Sequence, residues 1–552
     1  MFDGPPATHS EALAQIYARY DAAISSGDFV PFVYPWASFG ALFCFVYLLV
    51  PHCHSPFLRS LRYPVWALNA YWSIHSVLYT RARNIAPAFG VGLISSWSLL
   101  WTFTLLVAHD AQTDFARIER TEGASASLRS NGSAVSNGTT VKDKPQSDSL
   151  TVSTIKDVDI AAERRRLGTT AGPSQRRGTF AWQHFPLSPF IERLDWVADV
   201  FCNFRGMGWN WRIAGLAPPP RWVQEQLHSN SGTPISSKPD THRGTDGTRQ
   251  PQTSGEALRA GWTTLLKGYL LLDLFKIIVL HDPYFWGVVD APAPAIFPDF
   301  IRASPALTRI YRLIITLNAI KWALTAIFAL APIFFIGLLG PRVIGARACA
   351  WMYPDTFGAF TPTVLDKGLA GWWGGWWHQT FRFAFEAPSK RLIARLRLPP
   401  RGLPAKALQL VTAFALSGCL HAAGSHTQAG RTHPLSGPFA FFVLQAAGIV
   451  AQLLLVRALR AVVAVDETLP RWVRRAGNFA FVHVWFYYTA PLLADDFARG
   501  GIWLFEPVPL SPLRALGFGD ADAHWNCWRA REGSDWLRWV AGRRWWESGV
   551  AF

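Results

Sequence analysis

The feature that most constrains this chain is a succession of apolar stretches long enough to cross hydrocarbon. A transmembrane helix needs about 20 consecutive apolar residues. The candidates are residues 31–50, 64–80, 87–108, 261–280, 313–339, 406–424, 438–456 and 478–493. Backbone polar groups in lipid must be satisfied within the segment itself, so such stretches become helices. The expectation is an all-α fold: a polytopic transmembrane helical bundle of about eight spans, with seven to ten allowed, enclosing an intramembrane active-site tunnel. The second and last stretches are short enough to tilt or re-enter. The fifth contains Pro332, which predicts a kink or break. Composition agrees: only 16% of the 552 residues are charged, against about 25% in soluble domains. The 27 tryptophans fit interfacial belts around many spans.

The formal charge of +16 comes from Lys and Arg gathered between the apolar runs. Orientation by positive loops and contact with anionic headgroups account for it. Nucleic acid is not an expected partner, because no basic face with interleaved aromatics appears. The six cysteines are scattered without a CxxC pair, so neither a disulfide framework nor a zinc site follows. Cys53 lies between His52 and His54, but three adjacent residues cannot close a tetrahedral site alone. No metal is therefore expected. The first 28 residues are polar and mildly acidic, which predicts no cleavable secretory signal and makes the first apolar helix an uncleaved anchor.

Residues 1–110 read as N-terminal transmembrane helices, 111–180 as a disordered polar loop, 181–510 as the core, and 511–552 as a C-terminal tail. Within the core, 228–258 has the composition of a second disordered insert, while 181–225 is aromatic and expected at the interface. The long loop carries glycosylation sequons at Asn131 and Asn137, but also Arg164-Arg165-Arg166 and Arg176-Arg177. The basic residues favour a cytosolic loop with unused sequons, which puts the N-terminus in the lumen. Residues 341–405 then also face the cytosol, and their many bases either hold a phosphorylated cosubstrate or are ordinary positive-inside loop residues. No internal repeat is visible, which argues against repeat-built transporters.

Three segments carry candidate chemistry. His421 ends the apolar run Phe414-Ala415-Leu416-Ser417-Gly418-Cys419-Leu420-His421. If its helix starts near Lys406, the imidazole lies roughly 22 Å along the axis. A titratable group at that depth reads as functional, and imidazole exchanges protons near neutral pH. Ser417 and Gly418 share its face, and such small residues admit a close neighbour. The alternative is a histidine hydrogen-bonded between helices. His378 follows Trp372-Trp373-Gly374-Gly375-Trp376-Trp377 and precedes Gln379. The glycines free the backbone for a bend or a close ligand contact. The tryptophans line a hydrophobic tunnel or mark an interfacial helix, but a belt does not explain His378 and Gln379. In the third segment, Cys202 to Arg212, Arg205 and Asn210 stand among aromatics. They position a polar ligand at the membrane surface or build a structural elbow. No GxSxG, HExxH or kinase signature appears, so a serine nucleophile is unsupported.

Together these segments resemble the wax-synthase branch of the membrane-bound O-acyltransferases. Arg205-Gly206-Met207-Gly208-Trp209-Asn210-Trp211 is similar to an RGxGWNW element, Trp373 to Gln379 to WGxxWHQ, and Ser417 to His421 to SGxxH. The resemblance covers roughly residues 195–510, including Gly500-Gly501-Ile502-Trp503. One departure stands out: the family usually has basic residues where this chain has Gly375 and Trp376. The resemblance implies an acyl-CoA cosubstrate with no permanently bound cofactor, a lipophilic alcohol acceptor, and membrane lipids as surroundings. It assigns the family's embedded histidine to His421, as general base, and the second polar position to His378. His378 or Gln379 would donate to the oxyanion. Trp377, Ser417, Arg205 and Asn210 would contact substrate, and Arg382 would replace the missing bases. Fungal members resembling this chain are associated with acetylation of terpenoid or meroterpenoid alcohols, so acetyl-CoA is the expected donor and the endoplasmic reticulum the expected membrane. Long-chain wax-ester synthesis, a transporter and an inactive relative are the alternatives. Lys267, Asp273 and Lys276 form the only charged cluster along a span that a transporter would use, and Asp273 and Lys276 can simply pair.

Overall fold

Each apolar run carries helix in the computed structural model, which describes residues 4–120, 179–237, 242–462, 469–519, 524–528 and 537–551. The main helices in chain order are α1 (His9–Ser25), α2 (Phe39–Leu49), α3 (Arg62–Tyr79), α4 (Ile85–Thr102), α5 (Phe190–Cys202), α6 (Arg221–Ser231) and α7 (Ser254–His281). They continue with α8 (Pro305–Pro332), α9 (Arg382–Arg395), α10 (Leu403–His426), α11 (Ala440–Val462), α12 (Arg471–Thr489) and α13 (Pro491–Gly500). The mostly helical expectation holds. Among the described residues, four helices are long and apolar enough to cross a membrane: Ile85–Ala108, Pro305–Leu339, Leu403–His426 and Leu435–Ala461. The other runs fall short for visible reasons. α2 has only 11 residues, α7 carries Glu256, Arg259, Lys267, Asp273 and Lys276, and α12 carries Arg471, Arg474 and Arg475.

The long helices turn their largest apolar side chains outward. Ile314, Ile327, Leu330 and Leu338 along the Pro305–Leu339 helix are all exposed, as are Val443, Leu453 and Leu454 on α11. An apolar surface of that extent belongs against lipid. Pro332 removes one backbone donor, and the chain widens directly after it into a π-helical segment, Ile333–Leu339, so the helix loses its α geometry, without ending, where the sequence predicts a kink or break.

α10 is the central post, packed on α4, α9 and α11. Its approach to α4 depends on glycine. A Cβ on Gly92 would fall 1.9 Å from the Ala423 carbonyl oxygen, and one on Gly424 would fall 2.7 Å from the Phe89 ring. The Thr427 hydroxyl closes this seam by donating to the Ala88 carbonyl at 2.7 Å and accepting from Gly92 N–H at 3.0 Å.

Two regions read as disordered are folded where they are described. Residues 117–120 form strand β1 (Arg117–Arg120), antiparallel to β2 (Phe180–Gln183). The rest of the long loop, including both sequons, lies outside the described residues. In the second insert, α6 runs to Ser231 and a bridge joins Arg243 to Arg249. There Asp246 accepts from Thr248 N–H at 2.9 Å and from its hydroxyl at 2.6 Å, and Gln250 donates to the carbonyls of Pro218 and Trp351, both at 3.2 Å. Asp246 and Gln250 thus find partners within the fold, which composition does not reveal. At the far end of the chain, Arg538–Val540 and Gly549–Ala551 pair with each other, and the latter pairs with Val33–Tyr34.

Candidate active site

His421 lies on α10, with its Nδ1 2.8 Å from the Ser417 carbonyl oxygen one turn back. A carbonyl only accepts, so Nδ1 carries the proton and Nε2 keeps its lone pair. The ring is partly exposed and stacks obliquely on Phe442 of α11, at 4.4 Å between centroids. Gly418 on the same helix permits that packing, since a Cβ there would meet the Phe439 ring at 2.9 Å.

His378 arrives from another direction. Residues Trp372–Trp376 are wound as a π-helical turn, after which Trp377 becomes extended and turns the chain toward His378. π-Helical turns recur at functional sites because they re-aim side chains. Gln379 is buried beneath this turn. Its amide N–H groups donate to the carbonyls of Trp373 at 2.8 Å and Trp377 at 2.6 Å, and its Oε1 accepts from Arg382 at 3.2 Å. Gln379 therefore braces the turn, with its hydrogen-bonding groups already engaged.

Aromatic contacts connect the two histidines. Phe442 meets Trp373 at 5.7 Å, Trp373 meets Trp377 at 6.1 Å, and Trp377 meets His378 at 5.5 Å. Burial pushes the His378 imidazole down to about 3, and the charges of His421 and Arg205 add to that depression. His378 Nδ1 is buried without a hydrogen-bond partner. An N–H there would be orphaned, so the favoured neutral tautomer holds its proton on Nε2. The candidate site thus offers a lone pair at His421 Nε2 and an N–H at His378 Nε2.

The third motif turns the polar groups of Arg205 and Asn210 to backbone partners. Gly206 and Gly208 hold φ of 68° and 76°. A Cβ at these positions would strike Trp211 at 2.6 Å and Met352 at 2.7 Å. Asn210 docks on the segment beginning β1: its amide donates to the Asp114 carbonyl at 2.9 Å, its Oδ1 accepts from Ala116 N–H at 3.2 Å, and its own N–H reaches the Ala116 carbonyl at 3.0 Å. Arg205 donates to the carbonyls of Asp355 at 2.8 Å and Pro354 at 2.9 Å. Burial pushes its guanidinium down to about 10, against the carboxylates of Asp246 and Asp355.

Two cavities adjoin the aromatic walls. One, of about 260 Å³, is bounded by Arg205, Lys321, Tyr353, Asp355 and Phe357 among others. The other, of about 180 Å³, is bounded by Asp246, Lys367, Gly374, Gly375 and Arg382. The second explains the departure at Gly375: a Cβ there would meet Thr363 at 2.7 Å, so no basic side chain fits. Trp376 is likewise packed, against Phe360 at 5.6 Å and Trp372 at 4.2 Å. Arg382 reaches the rim of that cavity while donating to Glu386 at 2.8 Å and to the Gly374 carbonyl at 3.2 Å. Sequence reasoning missed Asp246, Lys367, Phe357 and Phe442 at the site. The turn Asp246-Gly247-Thr248 carried a readable signal, since Asp-Gly favours tight turns. Among the described residues no group of three or more His, Cys, Asp or Glu is placed to hold a metal ion.

Comparison with known proteins places both histidines within a matched stretch. Residues 353–444, which contain both histidines, match the model of the Membrane bound O-acyl transferase family. Over that stretch the chain is similar to the membrane-bound O-acyltransferases. It is 33% identical over 170 residues to the acetyltransferase ataH of Aspergillus terreus, covering 29% of this chain and 51% of that protein. It is 27% identical to the O-Mevalon transferase macI of Penicillium terrestre, covering 54% of this chain and 61% of the relative. It is 25% identical to the acetyltransferase ple2 of Rhodocybe pseudopiperita, covering 54% and 66%. The alignments thus span between about half and two thirds of these relatives' lengths. No solved structure matches the chain significantly.

Proposed function

We propose that this chain is an integral-membrane O-acyltransferase that moves an acetyl group from acetyl-CoA to a hydroxyl of a terpenoid-type acceptor, in the endoplasmic reticulum membrane. The observation that carries the proposal is His421, whose Nδ1 is tied to the Ser417 carbonyl so that Nε2 is the basic nitrogen. Nε2 takes the proton of the acceptor hydroxyl as that oxygen bonds to the thioester carbonyl carbon. The C–S bond then breaks, and the departing thiolate recovers the proton from His421. Such a base contributes about 10²–10⁴-fold. A neutral His378 donates from Nε2 to the oxygen that becomes negative, which is the moment at which a fixed donor helps most. The Trp and Phe walls exclude water from the thioester. Acetyl transfer is favoured by the relatives named acetyltransferase. A larger acyl group is the second reading, favoured by the relatives named O-Mevalon transferase.

The test uses microsomes holding this protein or its His421→Ala variant, with labelled acetyl-CoA or palmitoyl-CoA and a panel of terpenoid and fatty alcohols. Acetyl ester on a terpenoid, lost in the variant, is expected. Palmitoyl ester on a fatty alcohol would replace the proposal with wax-ester synthesis, and ester formation undiminished in the variant would remove His421 from the chemistry.

A further inference from the structure

Lys321 lies 16 residues into the apolar Pro305–Leu339 helix, roughly 24 Å from its start. An ammonium at that depth is costly unless it is partnered or has work to do. Among the described residues it has neither a carboxylate nor a hydrogen-bond acceptor for Nζ. Its close neighbours are ring faces: Trp322 at 5.3 Å, Phe357 at 5.7 Å and Trp376 at 5.9 Å. Ring faces attract a cation but leave its hydrogen-bonding capacity unused. Nor is the side chain sealed in, for it is partly exposed and borders the cavity of about 260 Å³.

The same cavity is bordered by Arg205, while its one carboxylate, Asp355, accepts from Arg249 N–H at 3.0 Å. Lys321 therefore faces a space whose single carboxylate gives one oxygen to a backbone N–H, while Arg205, engaged on the Asp355 and Pro354 carbonyls, adds a second positive charge at its border. The rest of the wall mixes apolar residues of α7 and α8, such as Ala260, Phe328 and Pro332, with the hydroxyl-bearing Thr264 and Thr325. The cavity also abuts the candidate catalytic chamber through Phe357, whose ring meets His378 at 6.1 Å.

We infer that this cavity is a subsite for an oxyanion of the substrate, held by Lys321, with the Arg205 guanidinium adding positive charge from its fixed place on the Asp355 and Pro354 carbonyls. The inference rests on the acyl-transfer reading only for its choice of assay. Geometry favours a carboxylate carried by the acceptor itself. One ring separates Lys321 from His378, whereas the diphosphate of a CoA donor lies a whole pantetheine arm from its thioester. Apolar side chains beside an ammonium without a carboxylate partner suit an amphiphilic hydroxy acid, with its hydroxyl at His421 and its carboxylate at Lys321.

The experiment compares a rigid hydroxy acid, ursolic acid, with its methyl ester as acceptors, in the wild-type chain, Lys321→Met and Lys321→Arg. The wild type is expected to favour the acid by roughly tenfold in kcat/KM, as a charge-assisted contact would provide. Lys321→Met should bring the ratio near one and Lys321→Arg should keep most of it. A parallel arm compares acetyl-CoA with acetyl-pantetheine, which lacks the phosphates. If Lys321→Met removes that discrimination instead, the oxyanion belongs to the donor. If neither ratio moves, the inference is overturned. Direct binding of tritiated ursolic acid and its ester to the purified full chain separates this result from the acyl-transfer reading. Tighter binding of the acid, lost in Lys321→Met, with no ester formed by any variant, would keep the subsite and sink the transferase. Ester formation with equal binding of acid and ester would do the reverse.

Discussion

Arg205 and Asn210 of the Arg205–Trp211 elbow and the histidines His378 and His421 treat their polar atoms in opposite ways. Each motif also holds exceptions: among the described residues, Trp209 and Trp211 bury unpartnered indole N–H groups, and Gln379 is fully engaged. In the elbow, Asn210 and Arg205 direct donors onto backbone carbonyls of distant segments. Among the described residues, His378 Nδ1 has no hydrogen-bond partner, and the His421 ring bonds through Nδ1, leaving Nε2 available. Satisfied polar groups stabilise, whereas unsatisfied ones cost about 1–3 kcal/mol each and persist where function needs them. On the proposed function, the contrast sets the bracing side chains Arg205 and Asn210 apart from the two reactive histidines.

The contrast can be broken most directly at His421. His421→Ala should cut ester formation by about 10²–10⁴-fold while moving the thermal midpoint little. A fold loss as large as the activity loss would put His421 on the scaffold side. His378→Gln comes next, with a fall in kcat of roughly 10²-fold. Its stability should respond in the opposite sense at acid pH. The folded imidazole is held near 3, below its ordinary 6.5, so the unfolded chain takes up the proton first as pH falls through 6.5. The stabilising contribution is full above that pH and is lost progressively toward 3, and melting curves of the Gln variant should lack this part of the acid sensitivity. An unchanged acid dependence would mean that His378 is not desolvated.

The elbow should answer chiefly in stability. Arg205→Ala removes charge-assisted bonds to two carbonyls and should cost about 2 kcal/mol. Asn210→Ala should cost about 0.5–1 kcal/mol, with the KM for donor and acceptor unchanged. A selective rise in either KM without loss of thermal stability would move Asn210 from the frame to the substrate surface.

Both histidines were legible because a titratable group in an apolar or tryptophan-rich run has few structural uses. The bracing by Gln379 and Asn210 was not. Asn210 finds its partners at Asp114 and Ala116, about a hundred positions earlier, and no local pattern encodes that pairing. The helices were legible from hydropathy, but not how many of them qualify as spans, because charges such as those on α7 lie among apolar residues and their pairing is tertiary. Asp273, for example, accepts from the Ser511 hydroxyl and from Leu513 N–H at 3.0 Å. The insert before α7 misled because Ser, Thr, Gly and Asp serve a tight turn as well as a solvated coil. Lys321 was passed over inside its apolar run, since only the cavity beside it shows what it faces.

The strand pairing of Gly549–Ala551 with Val33–Tyr34 has a consequence for biogenesis. The first partner leaves the ribosome early, and the second follows more than five hundred residues later. At about 5–20 residues per second, the early strand waits roughly half a minute or longer for its mate. During that interval its open edge is a site for a chaperone or for mispairing, and slowing elongation should raise the fraction of chains degraded before the last strand docks.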